Sequence, residues 1–232
     1  METEIKKVVE LCKNKLDLKN GTLGDEYYYS SLPLCVIDAV FSIGVKYSGT
    51  QNVINRFCKH VNIQRLRFQP MPDKSQQLSI NNLIQLYSRY GIDGMTDIVY
   101  HNKQRTSSRG GILKSEAVYK FAFVLEKFGV DYFQDIDKIY ENYLFESKIK
   151  QIPGQKSGKS LSYFYMLSGS DDYIKPDRMI ERFIRLAIGD KSLTPQECHD
   201  IIVGAQCKLV VEYPNITPRL LDYLIWGFQR AQ

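Results

Sequence analysis

Residue types suited to phosphate binding crowd into one short stretch, "IPGQKSGKS", which runs from Ile152 to Ser160. Two glycines, two lysines and two serines fall within its nine residues. Glycines let a backbone approach a phosphate closely, lysines supply positive charge, and serines donate hydrogen bonds. The stretch therefore predicts either a contact with phosphate or a tight turn between two helices.

The spacing of this stretch argues against a nucleotide-binding P-loop. A P-loop has four residues between its first glycine and the Gly-Lys-Ser that follows, and an apolar strand precedes it. Here only three residues separate Gly154 from Gly158, and the preceding "YENYLFESKIKQ" is charged and helical in pattern. Two interpretations remain: a helix-hairpin-helix that holds a DNA backbone at the start of its second helix, or a plain turn between core helices.

A carboxylate follows this turn. After the segment "SLSYFYMLSGSDDY", Asp177 opens a stretch in which Ile180, Phe183 and Ile184 recur at helical spacing. The ordinary role of such an Asp is to cap the helix that it begins. A carboxylate fixed at this position could also stabilise a positive charge that develops on a sugar.

The order of hairpin, helix and Asp resembles the helix-hairpin-helix DNA glycosylase superfamily, the relatives of endonuclease III, 8-oxoguanine glycosylase and 3-methyladenine glycosylase II. The specific part is "IPGQKSGKSLSYFYMLSGSDDYIKPD", while "LPLCVIDAVFSIGVKYSGTQNVINRF" is similar to the family's first pair of barrel helices. The second hairpin glycine comes two residues later than in the family. The four-cysteine cluster of many endonuclease III relatives is absent, since only Cys198 and Cys207 lie in that region, so we expect no iron–sulfur cluster.

The resemblance implies a DNA glycosylase that flips out and excises a damaged or modified base from double-stranded DNA. Asp177 falls on the family's catalytic carboxylate. Lys159, 18 residues earlier, falls on the nucleophilic lysine of members that also cleave the strand through a Schiff base. The alternatives are a phosphate contact for Lys159 and a reactive amine on Lys156. A non-catalytic helix-hairpin-helix DNA-binding protein is the alternative function.

Further DNA contacts are predicted in two loops. The basic stretch "NKQRTSSRGGILK" offers Arg105 and Arg109 to phosphate, and a solvated loop is an equal alternative. The other DNA-binding candidates are Gly154, Lys156, Ser157, Gly158, Ser160 and Lys175. In "EYYYSSLP", Tyr28 or Tyr29 could stack on a flipped base, although rings beside a core helix more often pack inside.

The elements that must position these residues are predicted to be helices, because apolar residues recur mainly at helical spacing. The fold class is all-α: two helical domains that share a cleft. Residues 32–170 form the domain with the hairpin, and residues 1–31 with 171–232 form the second. The predicted helices span roughly 3–16, 32–46, 49–62, 78–89, 92–100, 113–128, 131–142, 143–151, 159–168, 177–188, 195–212 and 218–230, with one or two fusing or failing.

Composition restricts the cofactors and the compartment. The 232 residues are 44% hydrophobic and carry a net charge of +5, which permits an acidic partner without requiring one. The five cysteines are scattered with no CxxC pair, and the adjacent residues of "ECHD" would diverge on a helix, so we expect reduced thiols, no metal and no cofactor. No apolar run is long enough for a bilayer. We expect a cytoplasmic protein, associated with the nucleoid if bacterial.

Overall fold

The computed structural model describes residues 1–68 and 71–232. Within these residues the chain is helical, with no strand and two isolated bridges. Three short 3-10 segments and one π-helical segment join the α-helices. The α-helices are α1 (Glu2–Lys15), α2 (Leu32–Phe41), α3 (Tyr47–Val61), α4 (Ile80–Gly94), α5 (Lys114–Lys127), α6 (Tyr143–Lys150), α7 (Lys159–Ser168), α8 (Arg178–Ile188), α9 (Pro195–Leu209) and α10 (Pro218–Arg230).

The predicted all-α class is confirmed for the described residues, and several helix limits are confirmed as well. The helices α7 and α10 begin and end at the predicted residues. Thr194 caps α9 through the predicted capping box with Glu197, and Thr217 caps α10 before a proline at its first position. Local signals of this kind act within a few residues, which is why the sequence alone predicts them.

The chain divides into two compact units. The central unit is residues 25–168, and the terminal unit is residues 1–24 together with 169–232. In the central unit α2 packs against α3, α5 and α7, and α4 packs against α5. In the terminal unit α1 packs against α8 and α9, and α10 packs against the same two helices. Each unit has a buried apolar core of its own.

The core of the central unit is built around α2, all ten residues of which are buried. One of them is charged: Asp38 has no exposed surface. Its Oδ2 accepts hydrogen bonds from the hydroxyl groups of Tyr29, Tyr47 and Tyr163 at 2.9, 3.2 and 3.4 Å. Burial, and then the nearby Asp38 carboxylate, raise the pKa of Tyr29 and of Tyr163 well above the usual value, so these phenols stay neutral donors.

The carboxyl end of α2 is held by a buried lysine from α5. The side chain of Lys114 is almost fully buried, and its Nζ donates to the carbonyl oxygens of Phe41 and Ile43, both at 2.8 Å. The last carbonyls of a helix have no partner within it, and a cation there is favoured by the helix dipole. Lys114 therefore supplies the hydrogen bonds that a buried helix end requires.

Several predicted helices differ from the structure, among them those over 32–46 and 131–142. The helix predicted over 32–46 ends at Phe41, whose carbonyl is bound by Lys114, and Gly44 has a φ angle of +74° that a continued helix does not allow. The helix predicted over 131–142 is only the 3-10 segment Phe133–Lys138. There Asp135 accepts from the backbone N–H groups of Asp131 and Tyr132, and these bonds favour a tight turn over a helix.

The terminal unit joins both ends of the chain in one helical core. Its buried side chains include Val8 and Cys12 of α1, Phe183 of α8 and Ile202 of α9. All five cysteines of the chain are free thiols, and only Cys207 is exposed. In the described ranges, no helix combines the length and apolar composition needed to cross a membrane.

Replacing Lys114 with Met tests the hold on α2. Lys114→Met removes both hydrogen bonds and deprives one buried and one partly buried carbonyl of its donor, so the free energy of unfolding should fall by about 2 kcal/mol. Lys120→Met is the matched control on the same helix, because its side chain is 45% exposed and its Nζ forms a surface ion pair with Glu116 at 3.4 Å. The control should change stability by less than about 0.5 kcal/mol. Urea unfolding measures both values, and equal effects would contradict a capping role.

Candidate functional site: the hairpin and Asp177

The predicted hairpin lies between α6 and α7 in the central unit. Its two glycines have positive φ angles, +86° at Gly154 and +72° at Gly158, a region that side-chain-bearing residues rarely adopt. Two short backbone hydrogen bonds close the turn, from Gln155 N to Ile152 O at 2.9 Å and from Gly158 N to Gln155 O at 3.0 Å. The hairpin is therefore an ordered turn, and α7 begins directly after it at Lys159.

The side chains of the hairpin divide into an inner and an outer set. The Ser160 hydroxyl donates to the Gln155 side chain, and both residues are buried, so this pair stabilises the turn from inside. Lys156 and Ser157 are exposed at the tip, and Lys159 is partly exposed as the first residue of α7. The N–H groups in the first turn of a helix lack partners within it, so an anion at the start of α7 would meet both donors and charge.

The structure brings the second predicted basic loop against the hairpin. A Cβ added at Gly154 would lie 2.3 Å from the Cβ of Thr106, so the two loops touch at this point. The loop between the π-helical segment and α5 is closed by bonds from Thr106 N to Ile112 O and from Lys114 N to Gln104 O, at 2.9 and 2.8 Å. Gly154 is thus required by a neighbouring loop as well as by its own φ angle.

The two arginines of that loop have different surroundings. The Nη1 of Arg105 donates to the Gly111 carbonyl at 2.7 Å, so this guanidinium braces its own loop. The side chain of Arg109 is exposed. Their predicted contacts with DNA stay predictions. Arg109 is the better placed of the two, because the guanidinium of Arg105 is already bound within its own loop.

A groove of about 640 Å³ runs along the other side of the hairpin. Its wall includes Tyr143, Lys150, Pro153 and Lys156. The Tyr143 ring is 84% exposed at the first position of α6, and Lys150 pairs with Glu146 at 2.9 Å. An exposed ring beside lysines is a surface on which a nucleobase or sugar could pack.

In the terminal unit, Asp177 is the N-cap of α8. Its Oδ1 accepts hydrogen bonds from the backbone N–H of Met179 at 2.8 Å and of Ile180 at 3.4 Å. Both bonds use the same oxygen, and the residue is partly exposed. The two N–H groups and the positive end of the helix dipole interact favourably with a carboxylate at this position. The geometry thus fixes a negative charge at a defined place, which serves a cap and a catalytic carboxylate equally well.

A second carboxylate lies near Asp177. Asp222, in α10, is buried, and its Oδ2 accepts from the backbone N–H of Lys175 at 2.9 Å. Burial, and then the negative charge of Asp177, raise the pKa of Asp222 to about 8, although the Lys175 bond and charge act in the opposite direction. Asp222 is therefore mostly protonated at neutral pH.

The comparisons with known proteins bear on the whole chain. A model for a domain of unknown function, DUF8548, matches residues 6–230. The chain belongs to the DUF8548 family. No curated protein and no solved structure matches it.

The remaining predicted residues of this DUF8548 chain lie in the central unit. Tyr29 is 2% exposed and its hydroxyl is bound to Asp38, so its ring belongs to the core. Tyr28 is partly exposed, and the Arg67 guanidinium carbon lies 5.9 Å from its ring centroid. Of the pair, Tyr28 alone has ring surface open to a ligand. The described residues contain no group of three or more His, Cys, Asp or Glu side chains arranged to hold a metal.

Sequence reasoning missed Tyr143 and Asp222. Tyr143 opens α6 away from the buried Phe145 and Ile149, and a single exposed aromatic leaves no periodic signal. Asp222 does leave a signal in the sequence, because it lies three residues before Ile225 on the apolar stripe of α10. An acidic residue on an apolar stripe predicts a buried polar contact.

Substituting Gly154 tests the contact between the two loops. Gly154→Ala places a methyl group at φ +86° and against Thr106, so the free energy of unfolding should fall by about 2–3 kcal/mol. Gly44→Ala is the matched control, because it has φ +74° with open space around it, and it should cost only about 1 kcal/mol. Adding Thr106→Gly to Gly154→Ala should recover the excess over the control. Failure of this double variant to recover stability would show that the loops do not touch at this point.

Proposed function

We propose that this protein is a DNA glycosylase that excises a damaged or modified base from double-stranded DNA. The observation that carries the proposal is the Asp177 carboxylate, fixed at the start of α8 by the N–H groups of Met179 and Ile180. It follows the hairpin and α7 in the order that resembles the helix-hairpin-helix glycosylases. Cleavage of an N-glycosidic bond builds positive charge on the sugar, and a preorganised anion lowers the energy of that state.

The hairpin supplies the proposed hold on the DNA backbone. Lys156 and Ser157 are exposed at its tip, and α7 begins directly behind it at Lys159. A phosphate placed there would receive N–H groups, a helix dipole and a lysine charge without any reading of bases. The exposed Tyr143 on the groove side of the hairpin adds a surface for stacking. Binding of this type should be independent of sequence and sensitive to salt.

Lys159 is the candidate for lyase chemistry. Its amine would attack C1′ of the damaged nucleotide, the base would leave, and the resulting Schiff base would allow strand cleavage. The same position also suits a phosphate contact, in which case the enzyme would excise the base and leave the strand intact.

The second candidate function is a non-catalytic DNA-binding protein. One observation favours it: the Asp177 bonds to Met179 and Ile180 already account for an Asp at this position as a helix cap. The two functions share the hairpin and differ only in the role of Asp177, so variants of that residue distinguish them.

Asp177→Asn separates the charge of this residue from its capping bonds. Asn caps a helix about as well as Asp, so stability should change by about 1 kcal/mol or less. The excision rate should fall by about a hundredfold or more, because a neutral amide does not stabilise the developing sugar cation. Single-turnover excision on duplexes with varied lesions measures the rate, and thermal unfolding measures the stability.

Asp190→Asn is the matched control for that variant. It makes the same charge change just beyond the other end of α8, where the side chain is 99% exposed, and it should leave the excision rate unchanged. An Asp177→Asn protein that unfolds much more easily while it keeps its excision rate would assign Asp177 to capping alone. That result would leave the DNA-binding function as the conclusion.

Borohydride reduction tests the amine. Trapping with lesion-containing DNA should give a covalent complex with the wild-type protein, and Lys159→Gln should abolish the complex because the reactive nitrogen is gone. Lys156→Gln, a lysine at the exposed tip of the same hairpin, is the control and should weaken DNA binding while it retains trapping. The reverse pattern would assign the reactive amine to Lys156. Excision without trapping in the wild type would show a glycosylase that lacks lyase activity.

A further inference from the structure

The segment between α7 and α8, residues 169–177, is held at two points by the first turns of α10. At the first point, the Nε and Nη2 of Arg219 lie 3.0 and 2.8 Å from Oδ1 of Asp171, and the Arg219 backbone N–H donates to the Asp171 carbonyl at 3.1 Å. At the second, Oδ2 of Asp222 accepts from the backbone N–H of Lys175 at 2.9 Å. Arg219 and Asp222 are three residues apart and so lie on one face of α10.

The second point is coupled to Asp177 through the backbone. The carbonyl of Lys175 accepts from the N–H of Asp177 at 2.6 Å, and Asp177 in turn caps α8 through Met179 and Ile180. The residue between them, Pro176, has a φ angle fixed by its ring. With so few free dihedral angles between the two bonds, a displacement of Lys175 must also displace Asp177.

We infer that Asp222 is a positioning residue for Asp177: its buried carboxyl group holds Lys175 on α10 and thereby fixes the direction in which the Asp177 carboxylate is presented. The catalytic meaning of this inference rests on the proposed glycosylase function, whereas the positioning itself does not. Asp222 touches no substrate in this scheme and acts only through the backbone of residues 175–177.

The protonation state of Asp222 gives the arrangement a pH dependence. The charged groups that face it are Asp177 at the start of α8 and Lys175 in the preceding segment. Because the pKa of Asp222 rises from 3.8 to about 8, the stability linked to this group is full below the lower value and is lost as the pH rises to about 8. Above that pH a second negative charge is present beside Asp177, and the repulsion between the two carboxylates should displace the Asp177 carboxylate.

Two variants of Asp222 separate the hydrogen bond from the charge. Asp222→Asn keeps an oxygen that can accept from Lys175 and removes the ionisation, whereas Asp222→Leu keeps the branched shape in a larger side chain and has no acceptor. Asp172→Asn, an exposed residue of the same segment, is the matched control. The primary measurement is the pH dependence of the Met179 and Ile180 backbone amide resonances, since these two N–H groups report the position of the Asp177 carboxylate.

In the wild type, and in Asp172→Asn, both amide resonances should shift with a midpoint near the Asp222 pKa of about 8. In Asp222→Asn that transition should vanish while the neutral-pH positions are kept, and in Asp222→Leu both resonances should be displaced at every pH. If Asp222→Leu does not fold, the comparison of Asp222→Asn with the wild type decides. A wild-type protein without the transition, or an Asp222→Leu protein with wild-type amide positions, overturns the inference.

The excision rate is the second readout. Asp222→Asn should retain the wild-type rate at neutral pH, and Asp222→Leu should lose about a hundredfold, the order of loss caused by a small misplacement of a catalytic group. An Asp222→Leu protein that excises at the wild-type rate overturns the positioning role. If the wild-type protein excises no base, the proposed function fails alone, and the amide resonances still decide whether Asp222 positions Asp177.

Discussion

Complete burial of α2 imposes the constraint on which the central unit depends. A helix without exposed residues must find partners for its polar groups inside the protein, because an unpaired buried group costs several kcal/mol. The Asp38 carboxyl group accepts hydrogen bonds from the hydroxyl groups of Tyr29, Tyr47 and Tyr163. Lys114 donates hydrogen bonds to the carbonyls at the carboxyl end of α2. These partners come from the segment before α2 and from α3, α7 and α5. The polar groups of one helix therefore fix four segments, including α7, whose first residue ends the hairpin.

The helices themselves could be predicted because their signals are local. Apolar periodicity and the caps at Thr194 and Thr217 act over a few residues, and α7 and α10 accordingly have the predicted limits. The bond that holds the end of α2 could not be predicted, since Lys114 lies 73 positions further along the chain than Phe41. The same limit applied to the candidate site. No pattern near Ser160 or Tyr29 shows that these side chains bind Gln155 and Asp38 inside the protein.

The hairpin shows why glycine-rich stretches are ambiguous in sequence. Gly154 has two structural roles: it adopts a positive φ angle, and it leaves room for Thr106 of the neighbouring loop. Under the proposed function it has a third role, which is to let a phosphate approach the backbone. The first two roles concern the fold alone, so a protein without any ligand would also need glycine at this position. The third depends on what surrounds the turn. Under the proposed function, exposed Lys156, the start of α7 and the groove beside Tyr143 would form the surface that contacts the nucleic-acid backbone.

The two carboxylates of the terminal unit show how one negative charge can be kept at a defined place. Asp177 receives two backbone N–H groups at the positive end of α8. Asp222 is buried and receives one N–H group, so burial dominates and the neighbouring charge adds to it. Burial thus keeps Asp222 mostly neutral at neutral pH, and differences in environment likewise assign distinct roles to paired carboxylates in enzymes. If both were ionised, their repulsion would act on the short segment that joins them through Lys175. Under the proposed function, a single fixed anion beside the sugar is what the developing cation requires, and the neutral partner holds it in place without competing for that charge.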